Sequence, residues 1–442
     1  MATTNITLSK EQEMVGEMAR KGDNLFITGS GGVGKTALLQ HMIRKTLGHL
    51  NVEVTALTGV AALPIGGTTL HSFLGIRPGD YTPEDYVWQA RAKKQAKQRM
   101  RNAEVLVIDE ISMCDAQLLN VADFVLKSIR DSTEPFGGVQ LILLGDFLQL
   151  PPPEKDYTLC YEAQAWRQAK IRICALRQVF RQEDEELIGH LNAVRMGSIG
   201  TDTTIYFQQF VRKPQPDDLV TELYAHNSDV NRRNAEELAK LPTNLRTYTA
   251  LDEGNPWAMK FLQKSCIAPT ELELKVGARV MLLKNRPKEG LFNGSIGTVV
   301  KLEHDHVVVN FRVRGRLTDV KIGTDTWEYI ARGIREASRE QIPLRLAYAQ
   351  TIHKSQGQTL QAAYVDMDKI FAQGHGYTGL SRISRPEGLH LSGFNSLMVK
   401  TCARTVELYQ LIDKKEPGFC LVDTDASVKL KETYKHPEQH MV

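Results

Sequence analysis

The 442-residue sequence predicts an α/β protein with two domains, each built on a parallel sheet flanked by helices. Three observations support this fold class, and the first is a glycine-rich run at residues 29–36 that stands between an apolar strand pattern and a helical pattern. The second is an apolar strand pattern at residues 105–108 that ends in two carboxylates. The third is that, after the prolines at residues 151–153, strand and helix patterns alternate again from about residue 171.

The glycine-rich run reads Gly-Ser-Gly-Gly-Val-Gly-Lys-Thr and fills every fixed position of the G-x-x-x-x-G-K-[ST] phosphate-binding loop. Glycines let backbone N–H groups close around a phosphate at the start of a helix, where the helix dipole favours an anion. Lys35 would reach the β- and γ-phosphates of a nucleotide, and the Thr36 hydroxyl would bind Mg²⁺. The alternative, a glycine-rich turn with a chance lysine, leaves the flanking strand and helix unexplained. The predicted nucleotide-binding residues of the loop are Gly29, Gly31, Gly32, Val33, Gly34, Lys35 and Thr36.

Two carboxylates, Asp109 and Glu110, follow the second strand pattern at the end where a parallel strand meets a bound nucleotide. In the context of the phosphate loop, Asp109 would support Mg²⁺ from just outside its direct ligands, and Glu110 would orient and deprotonate the attacking water. A further strand pattern at residues 139–144 leads to Gln149, whose side chain is placed to sense the γ-phosphate. Gln12 precedes the loop, and its amide can pair with both edges of adenine, although a surface glutamine is the commoner case.

Composition limits the class of protein. No apolar run approaches the ~18 residues of a membrane span and the N-terminus shows no signal-peptide pattern, so we expect a soluble intracellular protein without membrane contact. The 6 cysteines include no C-x-x-C pair, which indicates neither a zinc site nor a disulfide framework. The net charge of +3 is too small to argue for nucleic acid by itself. The basic run at residues 91–101 is more typical of a solvated helix face than of a nucleic-acid contact.

Residues 276–313 change to short strands with turn signals, which predicts a small antiparallel barrel inserted in the second domain. Arg312, Arg314 and Arg316 lie on one of its strands and the following turn. These arginines would either line the path of a nucleic acid or stay solvated. The resulting domain prediction is 1–165 for the first domain with an accessory insertion near 74–102, 166–291 and 344–411 for the second domain, 292–343 for the barrel, and 412–442 for a polar, lysine-rich tail.

Six segments stand in a fixed order along the chain: residues 29–36, 58–62, 109–113, 145–152, 351–360 and 380–382. In this order, across about residues 8 to 411, they resemble the motifs of superfamily 1 helicases of the petite-integration-frequency (Pif) type, which are relatives of RecD. Residues 353–357, His-Lys-Ser-Gln-Gly, are highly specific for this group. Residues 115–138 also resemble the signature stretch of the Pif type, which RecD-type chains lack.

This resemblance implies two RecA-like domains that bind ATP and Mg²⁺ in a cleft, with a small SH3-like β-barrel inserted in the second domain. Phosphoryl transfer needs added positive charge on the γ-phosphate as it leaves, and an arginine finger supplies it. The resemblance places such fingers on the second domain. The residues that it implies for nucleotide binding and hydrolysis beyond the loop are Gln12 at adenine, Gln149 at the γ-phosphate, Gln356, Gly357, and the fingers Arg181 and Arg382.

The resemblance also implies that single-stranded DNA lies across both domains. Hydroxyl, amide and imidazole groups suit phosphate contacts, and a ring such as that of Phe73 can stack on bases. His71 and His353 have an alternative role as core histidines satisfied by the backbone. The chain departs from the family pattern at residues 225–227, where Ala-His-Asn replaces the usual Pro-Thr-Asn, and at residues 378–379, where Thr-Gly replaces Val-Ala. The implied DNA contacts are Thr58, His71, Ser72, Phe73, Asn227, Thr351, His353 and Lys354.

For function, the resemblance implies a DNA-stimulated ATPase that moves 5′ to 3′ on single-stranded DNA and unwinds duplex, forked or structured DNA in replication, recombination and repair. Two other functions fit the same residues: a RecD-like motor subunit of a nuclease complex, and an ATPase that remodels DNA complexes without unwinding. No nuclease carboxylate cluster is evident in the sequence, which counts against a self-contained nuclease. We expect a monomer that works with single-strand-binding protein in the cytoplasm or nucleoid of a bacterial or phage system, because the long N-terminal extension of eukaryotic members is absent. A nuclear or mitochondrial location is the alternative.

Overall fold

The computed structural model describes residues 8–62, 65–79, 81–153, 156–214, 220–284, 286, 288–291, 294–313, 315–331 and 334–420. These residues form two compact units. Of the described residues, the first unit contains 8–147, 151–179 and 403–420, and the second contains 148–150 and 180–402. No helix in the described ranges is long and apolar enough to cross a membrane.

Up to residue 179, helices and strands alternate along the first unit. The helices are α1 (Lys10–Arg20), α2 (Lys35–His41), α3 (Gly59–Ala62), α4 (Leu70–Leu74), α5 (Pro83–Ala92), α6 (Lys94–Asn102), α7 (Ala116–Arg130) and α8 (Gln164–Gln168). The strands are β1 (Leu25–Thr28), β2 (Val52–Ala56), β3 (Thr68–Thr69), β4 (Val105–Asp109), β5 (Gln140–Leu144) and β6 (Arg172–Ala175). A π-helical turn, Met42–Thr46, extends α2.

The sheet of the first unit has its parallel strands in the order β6-β1-β5-β4-β2-β3. Every residue of β1 and β4 is buried, which explains why both strands read as continuous apolar runs in the sequence. Because all six strands are parallel, their carboxyl ends meet at one edge of the sheet. That edge therefore receives the phosphate loop after β1, the acid pair at the end of β4, and the segments after β2 and β3.

The second unit also alternates strands and helices, with a long run of strands in its middle. Its helices are α9 (Glu185–Arg195), α10 (Thr201–Gln208), α11 (Asn227–Lys240), α12 (Pro256–Ser265), α13 (Ile352–Ser355) and α14 (His375–Leu380). Its strands are β7 (Thr221–Tyr224), β8 (Arg246–Thr249), β9 (Leu251–Gly254), β10 (Glu271–Leu274), β11 (Arg279–Leu282), β12 (Ile296–Leu302), β13 (His306–Val313), β14 (Arg316–Gly323), β15 (Asp325–Ala331), β16 (Ile334–Gln341), β17 (Leu344–Leu346), β18 (Ala349–Thr351), β19 (Ala363–Val365) and β20 (Leu389–Leu391).

A parallel sheet in the order β18-β7-β19-β20 forms the base of the second unit. Leu223 of β7 and Val365 of β19 pack in one buried apolar cluster with Ile352 of α13 and Leu380 of α14. Burial of these side chains removes apolar surface from water, which holds α13 and α14 against the sheet. Two units, each with a parallel sheet and helices, confirm the predicted α/β class.

The strands between α11 and β18 form the insertion, and it is larger than the sequence predicted. Five strands make an antiparallel sheet in the order β14-β13-β12-β11-β17, and β15-β16-β9 and β10-β8 make two smaller ones. The predicted start at residue 292 is therefore too late, because β8 to β11 precede it; strands of four residues are too short for a clear alternation in sequence. Arg339 of β16 is buried and donates to Asp252 of β9 through two hydrogen bonds of 2.7 and 2.6 Å, which pins these strands together. Phe292 and Arg314 lie outside the described residues.

After residue 402 the chain returns to the first unit as α15 (Ala403–Asp413) and β21 (Phe419–Cys420). Strand β21 pairs antiparallel with β6 and completes the first sheet. Tyr409 of α15 lies 2.5 Å from Thr28 Oγ1 through its hydroxyl, which also accepts a hydrogen bond from the Phe147 N–H. The first domain was predicted to end at residue 165, but β6 follows that residue and belongs to the same unit. The tail was predicted to begin at residue 412, but the end of α15 and β21 also belong to this unit. Residues 421–442 of that tail lie outside the described residues.

The accessory insertion consists of the helices α5 and α6. Arg91, Arg99 and Arg101 of the basic run donate hydrogen bonds to main-chain carbonyls of the same unit. Arg130 of α7 donates to three carbonyls at the end of α6 and just after it, those of Met100, Arg101 and Ala103. These contacts give the three arginines of the basic run a structural role in the first unit, where the sequence predicted a solvated helix face.

Candidate nucleotide and nucleic-acid sites

The phosphate loop joins β1 to α2 in a backbone conformation that glycine permits. Gly29, Gly32 and Gly34 have φ angles of 143°, 96° and 81°, which side-chain-bearing residues rarely adopt. A Cβ on Gly29 would also lie 2.3 Å from the Leu176 carbonyl oxygen. The loop therefore leads directly into the start of α2, where backbone N–H groups and the positive end of the helix favour a phosphate.

Lys35 and Thr36 open helix α2. The Lys35 ammonium donates to the carbonyl oxygens of Gly29 at 2.8 Å and Ser30 at 3.1 Å, so its charge is held over the loop. Thr36 is exposed beside it. This arrangement puts a cation and a hydroxyl at the position where the sequence predicted contacts with phosphates and Mg²⁺.

Asp109 and Glu110 follow β4 at the same edge of the sheet. Burial raises the pKa of the Asp109 carboxyl to about 7, and the charge of Glu110 adds to this, whereas the Glu110 backbone N–H and the Lys35 cation oppose it. Glu110 has a φ of 53°, a conformation that a residue with a side chain adopts only where its surroundings hold it. Carboxylate and hydroxyl oxygens are ligands that Mg²⁺ prefers, so Asp109 and the Thr36 hydroxyl are groups of the right chemistry to hold this ion.

Gln12 is buried against the phosphate loop rather than exposed on α1. Its side-chain oxygen accepts a hydrogen bond from the Ser9 N–H, while its Nε2 donates to the Val33 carbonyl at 3.4 Å. The same side chain thus closes the capping box of α1 and touches the loop. Gln12 is within reach of the loop, as a contact to a bound base requires.

The candidate arginines of the second unit lie in one cluster, which we call the arginine cluster: Arg181, Thr359, Ser381 and Arg382. Arg181 donates to Thr359 Oγ1 at 2.9 Å and to the Ser381 carbonyl at 2.8 Å. Arg382 is 1% exposed and donates to the Thr378 carbonyl and to Ser381 Oγ, both at 2.9 Å. Gln356 and Gly357, with a φ of 77° at Gly357, form the turn that leads to Thr359. The structure thus brings Arg181 and Arg382 together around Ser381.

Gln149 is 6% exposed and also belongs to the second unit. Its carbonyl oxygen lies against Gly374, where an added Cβ would approach it to 2.1 Å. Gly374 has a φ of 73° and is the N-cap of α14, the helix that leads into Arg382. Sequence reasoning missed Gly374, whose only sequence signal is a glycine directly before a helix.

The first-unit DNA candidates follow β2 and β3, which are neighbours in the sheet. Thr58 Oγ1 accepts a hydrogen bond from the Ala61 N–H and so caps α3. His71 and Ser72 are half-buried in α4. Burial lowers the pKa of the His71 imidazole, against the opposing charge of Asp115, so the ring is neutral at pH 7. A neutral imidazole can donate to a phosphate or accept from the backbone, so both roles that the sequence allowed stay open for His71.

The structure contradicts the stacking role expected for Phe73. Its ring is 0% exposed, because Leu70, Phe73 and Leu74 share the buried side of α4 at helical spacing. The Arg99 guanidinium covers it at 5.8 Å from the ring centroid. Phe73 is therefore a core residue of the first unit, and we leave it out of the DNA contacts proposed below.

The second-unit DNA candidates meet at the carboxyl edge of its sheet, because β18 and β7 are parallel neighbours. Asn227 begins α11 and is exposed, as are His353 and Lys354 on α13. Thr351 is buried, and its hydroxyl accepts a hydrogen bond from the Lys354 N–H. Thr351 thus positions α13 rather than offering an open surface. Burial lowers the pKa of the Lys354 ammonium, and the charge of Arg345 adds to this.

Two family models match the chain. The model described as PIF1-like helicase matches residues 7–201. The model described as DNA helicase Pif1, 2B domain, matches residues 260–302. The second match begins well before residue 292, in agreement with the larger insertion seen in the structure.

Curated relatives match nearly the whole chain. The ATP-dependent DNA helicase PIF1 of Rattus norvegicus is 37% identical over 432 residues, which cover 96% of this chain and 67% of the rat protein. The protein of the same name from Homo sapiens is 38% identical over 416 residues, which cover 92% of this chain and 64% of the human protein. The chain thus spans about two thirds of the length of these relatives.

Solved structures also match. The Pif1 helicase from Candida albicans is 36% identical with a TM-score of 0.79, covering 92% of this chain and 100% of that one. Pif1 from a Bacteroides species in complex with ADP-AlF4 is 30% identical with a TM-score of 0.83, covering 94% and 100%. Bacteroides Pif1 bound to single-stranded DNA is 30% identical with a TM-score of 0.68, covering 94% and 100%.

Proposed function

This chain belongs to the PIF1-like helicase family, and we propose that it is an ATP-dependent DNA helicase that moves 5′ to 3′ along single-stranded DNA and unwinds duplex or structured DNA in genome maintenance. The observation that carries this proposal is the placement of the motifs. The phosphate loop and acid pair share one sheet edge of the first unit, the arginine cluster lies on the second unit, and each unit carries DNA candidates. From the family likeness we also propose that the chain acts as a monomer on forked or structured DNA, together with single-strand-binding protein.

In the proposed reaction, the glycine loop and Lys35 hold the β- and γ-phosphates of ATP. Glu110 orients the attacking water and accepts its proton. Mg²⁺, when bound, neutralises charge on the phosphates, and the Thr36 hydroxyl and Asp109 are the groups that would hold it. Gln12 contacts adenine in this scheme, and its hydrogen bond to Val33 supports the assignment.

We propose that Arg181 and Arg382 supply the positive charge that stabilises the γ-phosphate as it leaves. Gln149 would report the state of that phosphate. The support is local: Arg382 is held rigidly by Thr378 and Ser381, so little ordering is left to occur during the reaction. Gln356 and Gly357 complete the turn beside the cluster.

For DNA, we propose contacts from Thr58, His71 and Ser72 on the first unit, and from Asn227, His353 and Lys354 on the second, with Thr351 as a positioning residue. Each unit then has its own set of contacts with the strand, and we call each set a grip. Movement along DNA requires that the two grips tighten and loosen in turn during ATP hydrolysis.

The test of this proposal is the rate of ATP hydrolysis by the purified chain, measured with and without single-stranded DNA. We expect single-stranded DNA to raise the rate and blunt duplex of the same sequence to raise it far less, because the grips read an exposed single strand. A rate that does not respond to single-stranded DNA would count against a translocating motor.

A second prediction concerns Gly374. We expect Gly374→Ala to lower DNA-stimulated ATP hydrolysis by about 10²-fold, because the added Cβ would displace the Gln149 backbone and α14 by distances to which catalysis is sensitive. Gly376→Ala is the matched control: it lies in the same helix, and its added Cβ would approach nothing closer than 3.4 Å. Steady-state rates of the two variants at saturating ATP decide this, and equal rates would refute the role given to Gly374.

A further inference from the structure

Four aromatic rings form a continuous row on the second unit, which we call the ring row: His226, Phe371, His375 and His353. His226 and Phe371 are nearly parallel, with centroids 4.9 Å apart and an interplanar angle of 12°. Phe371 and His375 meet edge to face at 4.7 Å, and His375 and His353 do so at 4.9 Å. Both geometries are the preferred ones for aromatic pairs, so the rings hold one another in place.

Phe371 is 51% exposed although it carries an apolar ring. The neighbouring His226 is exposed as well, and its side chain makes no capping hydrogen bond to α11 although it occupies the N-cap position. A flat pair of aromatic rings that is partly exposed to solvent is a surface on which another planar group can stack. His375, by contrast, is 0% exposed and supports Phe371 from behind, whereas His353 at the end of the row is exposed.

The ring row runs between the two groups of DNA candidates of this unit. Asn227 follows His226 directly, and His353 is the far end of the row. One nearby carboxylate, Asp229, is ion-paired with Lys369 at 2.8 Å and with Arg232 at 3.5 Å, which offsets its repulsion of a nucleic acid. Phe371 is thus linked by ring contacts to His226, the neighbour of Asn227, and through His375 to His353.

We infer that Phe371, stacked on His226, is a platform for one nucleobase of the single strand. The inference rests on the proposed DNA-binding function and adds to it the residue that contacts a base instead of the backbone. The platform suits any base, because every base has a π-face and stacking does not read hydrogen-bonding edges. His226 supplies the second ring of the platform.

The pKa values of His375 and His353 agree with this role. Burial lowers the pKa of His375 to about 4, with the nearby His353 and His226 acting in the same direction. Burial also lowers the pKa of His353. Because these pKa values lie below the usual range, both supporting rings are uncharged at pH 7. Uncharged rings next to Phe371 favour base stacking over capture of a phosphate.

The test uses the full chain and a short single-stranded oligonucleotide in which one 2-aminopurine is moved position by position. Stacking on an aromatic ring quenches 2-aminopurine, so the wild-type chain should quench one position more than the others. Phe371→Ala should remove that quenching and raise the Kd by about 5- to 150-fold. Phe371→Trp should keep the position-specific quenching and a Kd near that of the wild-type chain. Phe124→Ala is the control, because Phe124 on α7 is also an exposed phenylalanine, at 39% exposure. This substitution should change neither the quenching nor the Kd.

An abasic site at the quenched position gives an independent readout on the wild-type chain. It should weaken wild-type binding to the level of Phe371→Ala and leave binding by that variant unchanged. If Phe371→Ala does not fold, the abasic substrate and Phe371→Trp still test whether a base stacks on residue 371. A wild-type chain that binds single-stranded DNA but shows no position-specific quenching and no loss with the abasic site would overturn the inference alone. A wild-type chain that binds no single-stranded DNA would overturn the proposed function, and the inference with it.

Discussion

Arg382→Ala is expected to lower the DNA-stimulated rate of ATP hydrolysis by about 10³-fold or more, with a much smaller change in ATP affinity. An arginine finger acts on charge that develops as the γ-phosphate leaves, so its loss affects the transition state more than the bound substrate. The structure strengthens this expectation because Arg382 is buried and hydrogen-bonded on both its Nε and a terminal nitrogen. Its guanidinium is therefore already ordered.

The matched control is Arg385→Ala, an exposed arginine on the same stretch of chain. Because removal of a buried arginine can destabilise the unit, Arg382→Lys serves as a second variant that keeps the positive charge and loses the planar fork. Arg385→Ala and Arg382→Lys should both unfold near the melting temperature of the wild-type chain. Arg382→Lys should still hydrolyse ATP more slowly than the wild-type chain. Stimulated turnover by Arg382→Ala that equals that of Arg385→Ala would refute the finger assignment.

Glu110→Gln should lower the rate of ATP hydrolysis by about 10²- to 10⁴-fold while ATP binding stays near the wild-type level. The amide has nearly the same shape as the carboxylate, but it cannot accept the proton of the attacking water. Lys35→Ala should behave differently, since it removes a charge that holds the phosphates in the bound state. Equilibrium binding of a fluorescent ATP analogue and steady-state hydrolysis, measured in parallel, separate the two roles.

Glu134→Gln is the control for this substitution, because Glu134 is an exposed glutamate of the same unit. It should match the wild-type chain in both assays. A Glu110→Gln variant whose loss of ATP affinity is as large as its loss of turnover would contradict the role as general base.

The nucleotide site was predictable because its chemistry is local in sequence. The phosphate loop needs glycines at fixed positions, and the acid pair follows a strand buried on both faces, so short runs of residues identify both. Helix α9, Glu185–Arg195, is also specified locally, since Asp184 caps it and Leu187 and Leu191 lie on its buried face.

Other features depend on contacts that the sequence does not display. β21 joins the first sheet across an interval of about two hundred and fifty residues from β6, so the predicted tail began too early. Phe73 looks like an exposed aromatic in a polar stretch, yet the helical spacing with Leu70 turns it into the core. Gly374 is set by its distance to Gln149, which only the fold creates.

The most direct test of the central claim is unwinding of two partial duplexes by the purified chain with ATP, one with a 5′ single-stranded tail and one with a 3′ tail. The chain has DNA candidates on both units, and we proposed 5′-to-3′ movement, so we expect ATP-dependent unwinding of the 5′-tailed duplex and little unwinding of the other. Glu110→Gln should unwind neither, which ties strand separation to hydrolysis. Preferential unwinding of the 3′-tailed duplex would contradict the proposed polarity, and DNA-stimulated hydrolysis without unwinding of either duplex would contradict the proposed helicase activity.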